Sequence, residues 1–225
     1  ITKDKLAEAI KLHNETRRLQ QEIYEMQKGE EVYLTGLELL MVMLAGVSLP
    51  RPEYNKMMKD LIAALKANGP RIKPKVRLLY TGGHADNPEF FDLLQQNDAH
   101  VVSDNTGFGT RAADVLIRED GDPLEAIIDY YFEEKPAATR QMGTQVERME
   151  RLLDLVKQYK ADGVVASRLY MCDLWAFEHF LMRKRLHENN VPFLELEVDY
   201  TPEGQGQIKT RVQAFVESLA DRQTA

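Results

Sequence analysis

The chain has 225 residues, enough for one large domain or two small ones around a real core. Its hydrophobic fraction of 44% and charged fraction of 29% are those of an ordinary globular protein. A net charge of −7, with no dense Lys/Arg run, argues against a nucleic-acid surface.

A single cysteine excludes an internal disulfide framework and fits a reducing, cytoplasmic setting. No apolar stretch approaches the roughly 20 residues that span a bilayer. The N-terminus reads as a charged amphipathic helix rather than a signal peptide. The start at Ile1 rather than Met suggests a fragment or a trimmed chain.

Residues 1–70 read as a helical subdomain. Thr2 suits an N-cap, and Leu12, Leu19, Ile23 and Met26 share one face of a helix over Lys3–Lys28, ended by Gly29. Thr35 and Glu38 have capping-box spacing at the start of a second, nearly all-apolar helix over Thr35–Ala45. Pro50 and Pro52 break the chain. A third helix follows over Tyr54–Ala67, with Met57, Leu61, Ala64 and Leu65 expected to face inward. Met41, Met43, Met57 and Met58 are expected to fill the core.

From residue 75 to 222 the pattern alternates strand and helix. The expected strands are Val76–Tyr80, His100–Ser103, Asp162–Ser167 and Val191–Val198. Helices are expected over Pro88–Gln96, Leu124–Tyr131, Thr144–Tyr159, Asp173 to about Glu188, and a last segment bearing Ile208, Val212, Phe215, Val216 and Leu219. Helical crossovers imply parallel strands. The fold class is therefore α/β: an N-terminal helical segment, then a small doubly wound parallel sheet, flavodoxin-like, of about four strands in the order 2-1-3-4.

In such sheets ligands bind outside the carboxyl ends of the strands. That edge gathers Thr81-Gly82-Gly83-His84, the loop Asp104–Arg111, Ser167–Cys172 and Glu197–Tyr200. The glycine-rich turn matches neither a dinucleotide fingerprint nor a Walker loop. Asp104 is suited to orient a ligand, and Arg111 to clamp a phosphate or carboxylate; the alternative is that the two brace the loop. His84 is the one histidine expected at this edge. His13, His179 and His187 read as solvated or structural, and His100 belongs to the opposite edge.

Cys172 falls where a strand hands over to a helix. A helix N-terminus favours a thiolate; the alternative is a buried structural cysteine. As a nucleophile Cys172 has only His84 for a base, with no oxyanion-hole motif. Zinc lacks a close ligand pair. An iron–sulfur cluster needs cysteines from elsewhere.

The stretch Tyr170-Met171-Cys172-Asp173 is followed by Leu194-Glu195-Leu196-Glu197-Val198-Asp199-Tyr200-Thr201 and then by Gln207, Arg211 and Ala214-Phe215. Together these resemble the C-terminal part of the 2-hydroxyglutaryl-CoA dehydratase and benzoyl-CoA reductase subunit family. The loop Val101-Val102-Ser103-Asp104 with Gly109 and Arg111, and the segment Asn14-Glu15-Thr16-Arg17-Arg18-Leu19, extend the resemblance over most of the chain. Asn105 departs from it where an acid is expected, as does the helix ending Gln95-Gln96-Asn97-Asp98.

The resemblance implies a 4Fe–4S cluster with Cys172 as one ligand and the others in an N-terminal domain outside this segment. It implies a homologous second subunit, in a hetero- or homodimer, and an ATP-hydrolysing iron–sulfur activator as electron donor. The expected substrate is an acyl-CoA, dehydrated or ring-reduced by way of a ketyl radical. Asp104 and Glu197 are then the expected catalytic or substrate-orienting acids, with Arg111 and His84 binding substrate. Two other readings remain open: a double-cubane-cluster reductase of small molecules, and a non-catalytic partner subunit in which Cys172 only packs.

Overall fold

The computed structural model of the protein describes residues 1–83, 86–95, 98–199 and 205–224. Three helices open the chain: α1 (Lys3–Glu25), α2 (Gly36–Ser48) and α3 (Arg51–Asn68). Thr2 caps α1, and the Thr35/Glu38 capping box is formed in full at α2.

α1 stops before Lys28 for a reason that lies far away in sequence. The buried Gln27 side chain accepts from the Tyr33 and Leu34 amides and donates to the Leu34 carbonyl. The carbonyls of Gln27 and Gly29 turn to the Arg77 guanidinium instead of continuing the helix.

The α/β part runs β1 (Val76–Gly82), α4 (Pro88–Leu94), β2 (Ala99–Asn105), a one-turn α5 (Thr110–Ala113) and α6 (Pro123–Asp129), which widens into a π-turn over Tyr130–Glu134. Then come α7 (Gln145–Gln158), β3 (Gly163–Leu169), α8 (Asp173–Glu188), β4 (Phe193–Val198) and α9 (Gln205–Thr224). The four strands are all parallel, in the expected order β2-β1-β3-β4.

Both faces of the sheet are covered, as parallel strands require. One face packs Leu79, Val102, Val164 and Ala166 against Ile23 and Tyr24 of α1, Met43 of α2, Met58 of α3, Leu152 of α7 and Met182 of α8. The other packs Val76, Leu78, Tyr80, Val165 and Leu196 against α4 and α9, with Leu40 of α2 at the margin. The opening helices therefore share one continuous core with the sheet.

Two helices, α3 and α8, bury a different face from the one their apolar spacing suggests, while α7 buries Met149, Leu152, Leu153 and Val156 as its spacing predicts, with one exception. In α3 the inward residues are Tyr54, Asn55, Met58 and Ile62, while Met57 is exposed. Tyr54 sets this rotation, because its hydroxyl donates to the Val42 carbonyl and accepts from Gln20. Met41 is likewise exposed, so of the four methionines only Met43 and Met58 fill the core. Val146 of α7 is exposed. In α8, Phe177 faces out, and the buried side is Glu178, His179, Met182 and Leu186. Ionisable residues with internal partners displace apolar ones there.

Candidate functional site

The carboxyl ends of β1, β2 and β3 open into a cavity of about 390 Å³. Its walls are Gly82 and Gly83 after β1, Thr106, Gly107, Phe108 and Arg111 after β2, Leu169 at the end of β3, and Cys172, Leu174 and Trp175 at the start of α8. Ala138, Thr139 and Arg140, from the connection between the π-turn and α7, close it from above.

Cys172 is the N-cap of α8, is half-buried, and makes no side-chain capping bond. The turn that presents it is held by Tyr170 N–H donating to Val198 O at 2.9 Å and Cys172 N–H donating to Leu169 O at 3.1 Å. Between them Met171 sits at φ 62. That conformation costs a side-chain-bearing residue roughly 1–2 kcal/mol. Trp175, one turn further along α8, stacks onto Gly83 so closely that a Cβ there would meet the indole nitrogen at 2.3 Å. Glycine at 83 is thus what lets the indole reach the cavity wall.

Arg111 is half-buried beside Gly107, and among the described residues nothing hydrogen-bonds or ion-pairs its guanidinium. Burial, reinforced by the neighbouring Arg151, pulls its pKa below the ordinary arginine value, against the pull of Asp104 and Glu178. Arg140 lines the same cavity, also without a partner among the described residues. Lys135 nearby is lowered by burial and then by Arg111. The cavity thus carries positive charge that the protein itself does not neutralise, which is the electrostatic signature of an anion site.

Asp104 does not line the cavity. It lies beneath the loop, where one carboxylate oxygen accepts from the Thr106 amide and hydroxyl at 2.8 and 2.7 Å, and the other from the Tyr24 hydroxyl. Its carbonyl accepts from Thr110 Oγ1 at 2.7 Å. A Cβ on Gly109 would fall 1.9 Å from Asp104 Oδ1, so the loop wraps directly over the carboxylate. Burial, then the Asp104 charge, raises the Tyr24 pKa well above the ordinary tyrosine value.

Asn105, where an acid is expected, accepts from Arg151 Nε at 3.3 Å. Arg151 also donates to Thr110 Oγ1 and pairs with Asp114, which ties α7 to this loop. Glu197 stands outside the cavity, in a cross-strand ion pair with Arg168. His84 and the Tyr200-Thr201 end of the last motif lie outside the described residues.

The structure therefore brings Cys172 and Arg111 to one cavity, sets Asp104 under its floor, and leaves Glu197 aside. The residues that sequence reasoning missed are Trp175 and the Ala138–Arg140 segment. Trp175 carries a detectable signal, being three residues after Cys172 on a helix. Arg140 lies in a connection with no periodicity to mark it. Among the described residues no group of three or more Cys, His, Asp or Glu side chains is arranged to hold a metal. The chain thus fits one ligand position of a cluster, through the Cys172 thiol, and not a complete donor set. No helix among the described residues is long and apolar enough to cross a membrane.

Comparison with known proteins gives this geometry a context. A putative dehydratase subunit, YjiM, of Escherichia coli K12 is 27% identical over 230 residues, covering 97% of this chain and 58% of that protein. The beta subunit of (R)-phenyllactyl-CoA dehydratase from Clostridium sporogenes is 23% identical over 97% of this chain and 58% of its own length. One of the subunits of benzoyl-CoA reductase from Thauera aromatica is 24% identical, with the same coverage of 97% and 58%. The chain thus spans a little under three-fifths of these relatives. The sequence pattern of the family described as 2-hydroxyglutaryl-CoA dehydratase, D-component, matches residues 1–219, and the chain belongs to that family.

Proposed function

We propose that this chain is part of a subunit of an enzyme acting on acyl-CoA thioesters, either dehydrating a 2-hydroxyacyl-CoA or reducing a benzoyl-CoA, and that Cys172 is one ligand of its iron–sulfur cluster. The observation that carries the reading is the cavity where the sole cysteine and two unpaired arginines meet. The names of the relatives support it, since they are subunits of acyl-CoA dehydratases and of benzoyl-CoA reductase.

In this reading the remaining ligands come from outside the segment. A bound cluster supplies electrons singly at low potential. Each wall of the cavity has its own task. Arg111 and Arg140 hold the phosphates of the CoA moiety, as guanidinium forks suit that group. Gly82 and Gly83 let Ser167 and the Trp175 indole close onto the end of β1, which shapes the cavity wall. Trp175, Leu174, Phe108 and Leu169 exclude water from the reacting end. Asp104 acts through the loop, keeping Thr106 and Arg111 in place.

The partners of this reading are a homologous second subunit and an ATP-hydrolysing iron–sulfur activator. The first is supported by the relatives, each of which is named as one subunit of a larger enzyme.

The test is iron and acid-labile sulfide per subunit in the anaerobically purified complex, wild type against Cys172→Ala. About four of each, lost in the variant, is the expected result. About eight irons favours a double-cubane reductase. No iron, with an indifferent variant, leaves Cys172 as a packing residue in a structural partner and overturns the reading.

A further inference from the structure

Arg148, near the start of α7, is buried to 6% exposure and pairs with the equally buried Glu178 of α8. The pair is bidentate, Nε to Oε1 and Nη2 to Oε2, both at 2.7 Å. The third nitrogen, Nη1, points the other way. It donates to the carbonyls of Ala138 at 3.4 Å and Gln141 at 3.1 Å and to the Thr144 hydroxyl.

Two facts make this more than packing. First, the other hydrogen bonds of the 136–144 segment are internal. Ala138 N–H donates to the Gln141 side chain, Gln141 N–H to Ala138 O, and Thr144 Oγ1 to Gln141 O. Among the described residues, its hydrogen bonds to the rest of the molecule all end on Arg148, through the guanidinium and through the helical Arg148 N–H to Thr144 O. Second, a buried ion pair seldom adds net stability over an apolar pair of similar size. The pair by itself therefore gives little reason for an arginine there; the extra fork does.

We propose that Arg148 is a positioning residue that latches the Ala138–Gln141 segment, and with it Arg140, to the helix bearing Cys172. Glu178 follows Cys172 by six residues on α8. One guanidinium thus fixes the upper wall of the cavity relative to the wall that carries the thiol. With the latch released, the segment opens and Arg140 leaves the anion site. The effect on ligand binding rests on the reading of the cavity as a CoA site; the effect on the segment does not.

The experiment uses two readouts on the whole protein. One is the rate of trypsin cleavage after Arg140, identified by mass spectrometry, which follows the population of the open segment. The other is quenching of Trp175, the only tryptophan in the chain, by CoA.

The double variant Arg148→Met/Glu178→Leu replaces the pair by apolar residues and removes the fork. Its cleavage after Arg140 is expected to rise at least about tenfold while its unfolding midpoint stays near wild type. Its CoA affinity should fall to that of Arg140→Ala, and adding Arg140→Ala to it should cost nothing further. If the double variant does not fold, Arg148→Lys replaces it, since an ammonium keeps the charge on Glu178 without the fork.

Unchanged cleavage after Arg140 in the folded variant overturns the latch. So does an Arg140→Ala penalty of equal size in both backgrounds. If CoA leaves Trp175 unchanged in wild type, the CoA reading fails, and the cleavage rate alone decides the latch.

Discussion

Arg77 and Arg111 stand at opposite edges of the same sheet. Arg77 enters at the amino end of β1, and its guanidinium donates to the carbonyls of Tyr159, Gly29 and Gln27 at 2.8, 3.0 and 2.9 Å. Its own amide donates to Asp162. Arg111 follows the carboxyl end of β2 and, among the described residues, engages nothing. The same side chain is engaged at one edge and unengaged at the other. A buried guanidinium each of whose three nitrogens meets a carbonyl joins elements together, here the α1–α2 connection to the sheet and to the end of α7. A half-buried one without a protein acceptor keeps its nitrogens open to water and so to an anion. The amino edge thus joins the fold together, and the carboxyl edge is where the proposed CoA site lies.

Removing Arg77 is the strongest way to test the comparison. Arg77→Met leaves three inward-facing carbonyls without donors. The expected loss is on the order of 3–5 kcal/mol, or a midpoint lower by about 10 °C. Chemical and thermal denaturation read this directly. A loss below about 1 kcal/mol would mean that water replaces the guanidinium and the amino edge is not closed.

Gly109→Ala ranks next. The added methyl collides with Asp104 Oδ1, and the loop must rebuild around it. Overpacking of this kind costs about 1–3 kcal/mol. The change should also weaken CoA quenching of Trp175, because Arg111 hangs from the same loop. Stability lost with CoA binding intact would separate Asp104 from the site.

Arg111→Met is the counterpart of Arg77→Met and should behave in the opposite way. Its thermal midpoint is expected to stay level or rise, since a desolvated cation is removed from beside Arg151. CoA affinity should fall about tenfold, which is ~1.4 kcal/mol. Titration of Trp175 fluorescence measures it. An Arg111→Met protein that binds CoA as wild type removes Arg111 from the phosphate clamp.

The contrast between these arginines also marks what the sequence makes legible. Strands and their order follow from local apolar runs and from the right-handed crossover rule, and both are readable. That Cys172 and Arg111 meet at one cavity is readable because each follows a strand's carboxyl end. What escapes depends on partners distant in sequence. Asp104 looks like a site acid until Tyr24, 80 residues earlier, is seen to hold it. Glu197 looks catalytic until the strand register sets it opposite Arg168. The buried face of α8 hides because Glu178 turns inward to Arg148 and His179 packs beside it between Trp175 and Phe193, against their hydropathy. Arg140 has no pattern around it, and only the Arg148 fork explains its place.

His179 provides the smallest test, and its sign can be worked out. The ring is fully buried on α8, edge-on to Trp175 and Phe193, with Nδ1 3.4 Å from Glu195 Oε1. Burial lowers its pKa below 6.5, and Arg168 and Arg183 add to this, while Glu195 opposes. The unfolded chain then binds the proton more readily than the folded one. Stability is full above about pH 6.5 and declines as pH falls below it. His13 and His100 are lowered by burial too and contribute with the same sign. His179→Leu should therefore make the decline between pH 7 and pH 5 shallower without abolishing it, as read from urea midpoints across that range. An unchanged slope would mean that His179 binds its proton equally well in the folded and unfolded chain, the pull of Glu195 cancelling the effect of burial. A steeper decline would mean that Glu195 outweighs burial and holds the ring charged beside it.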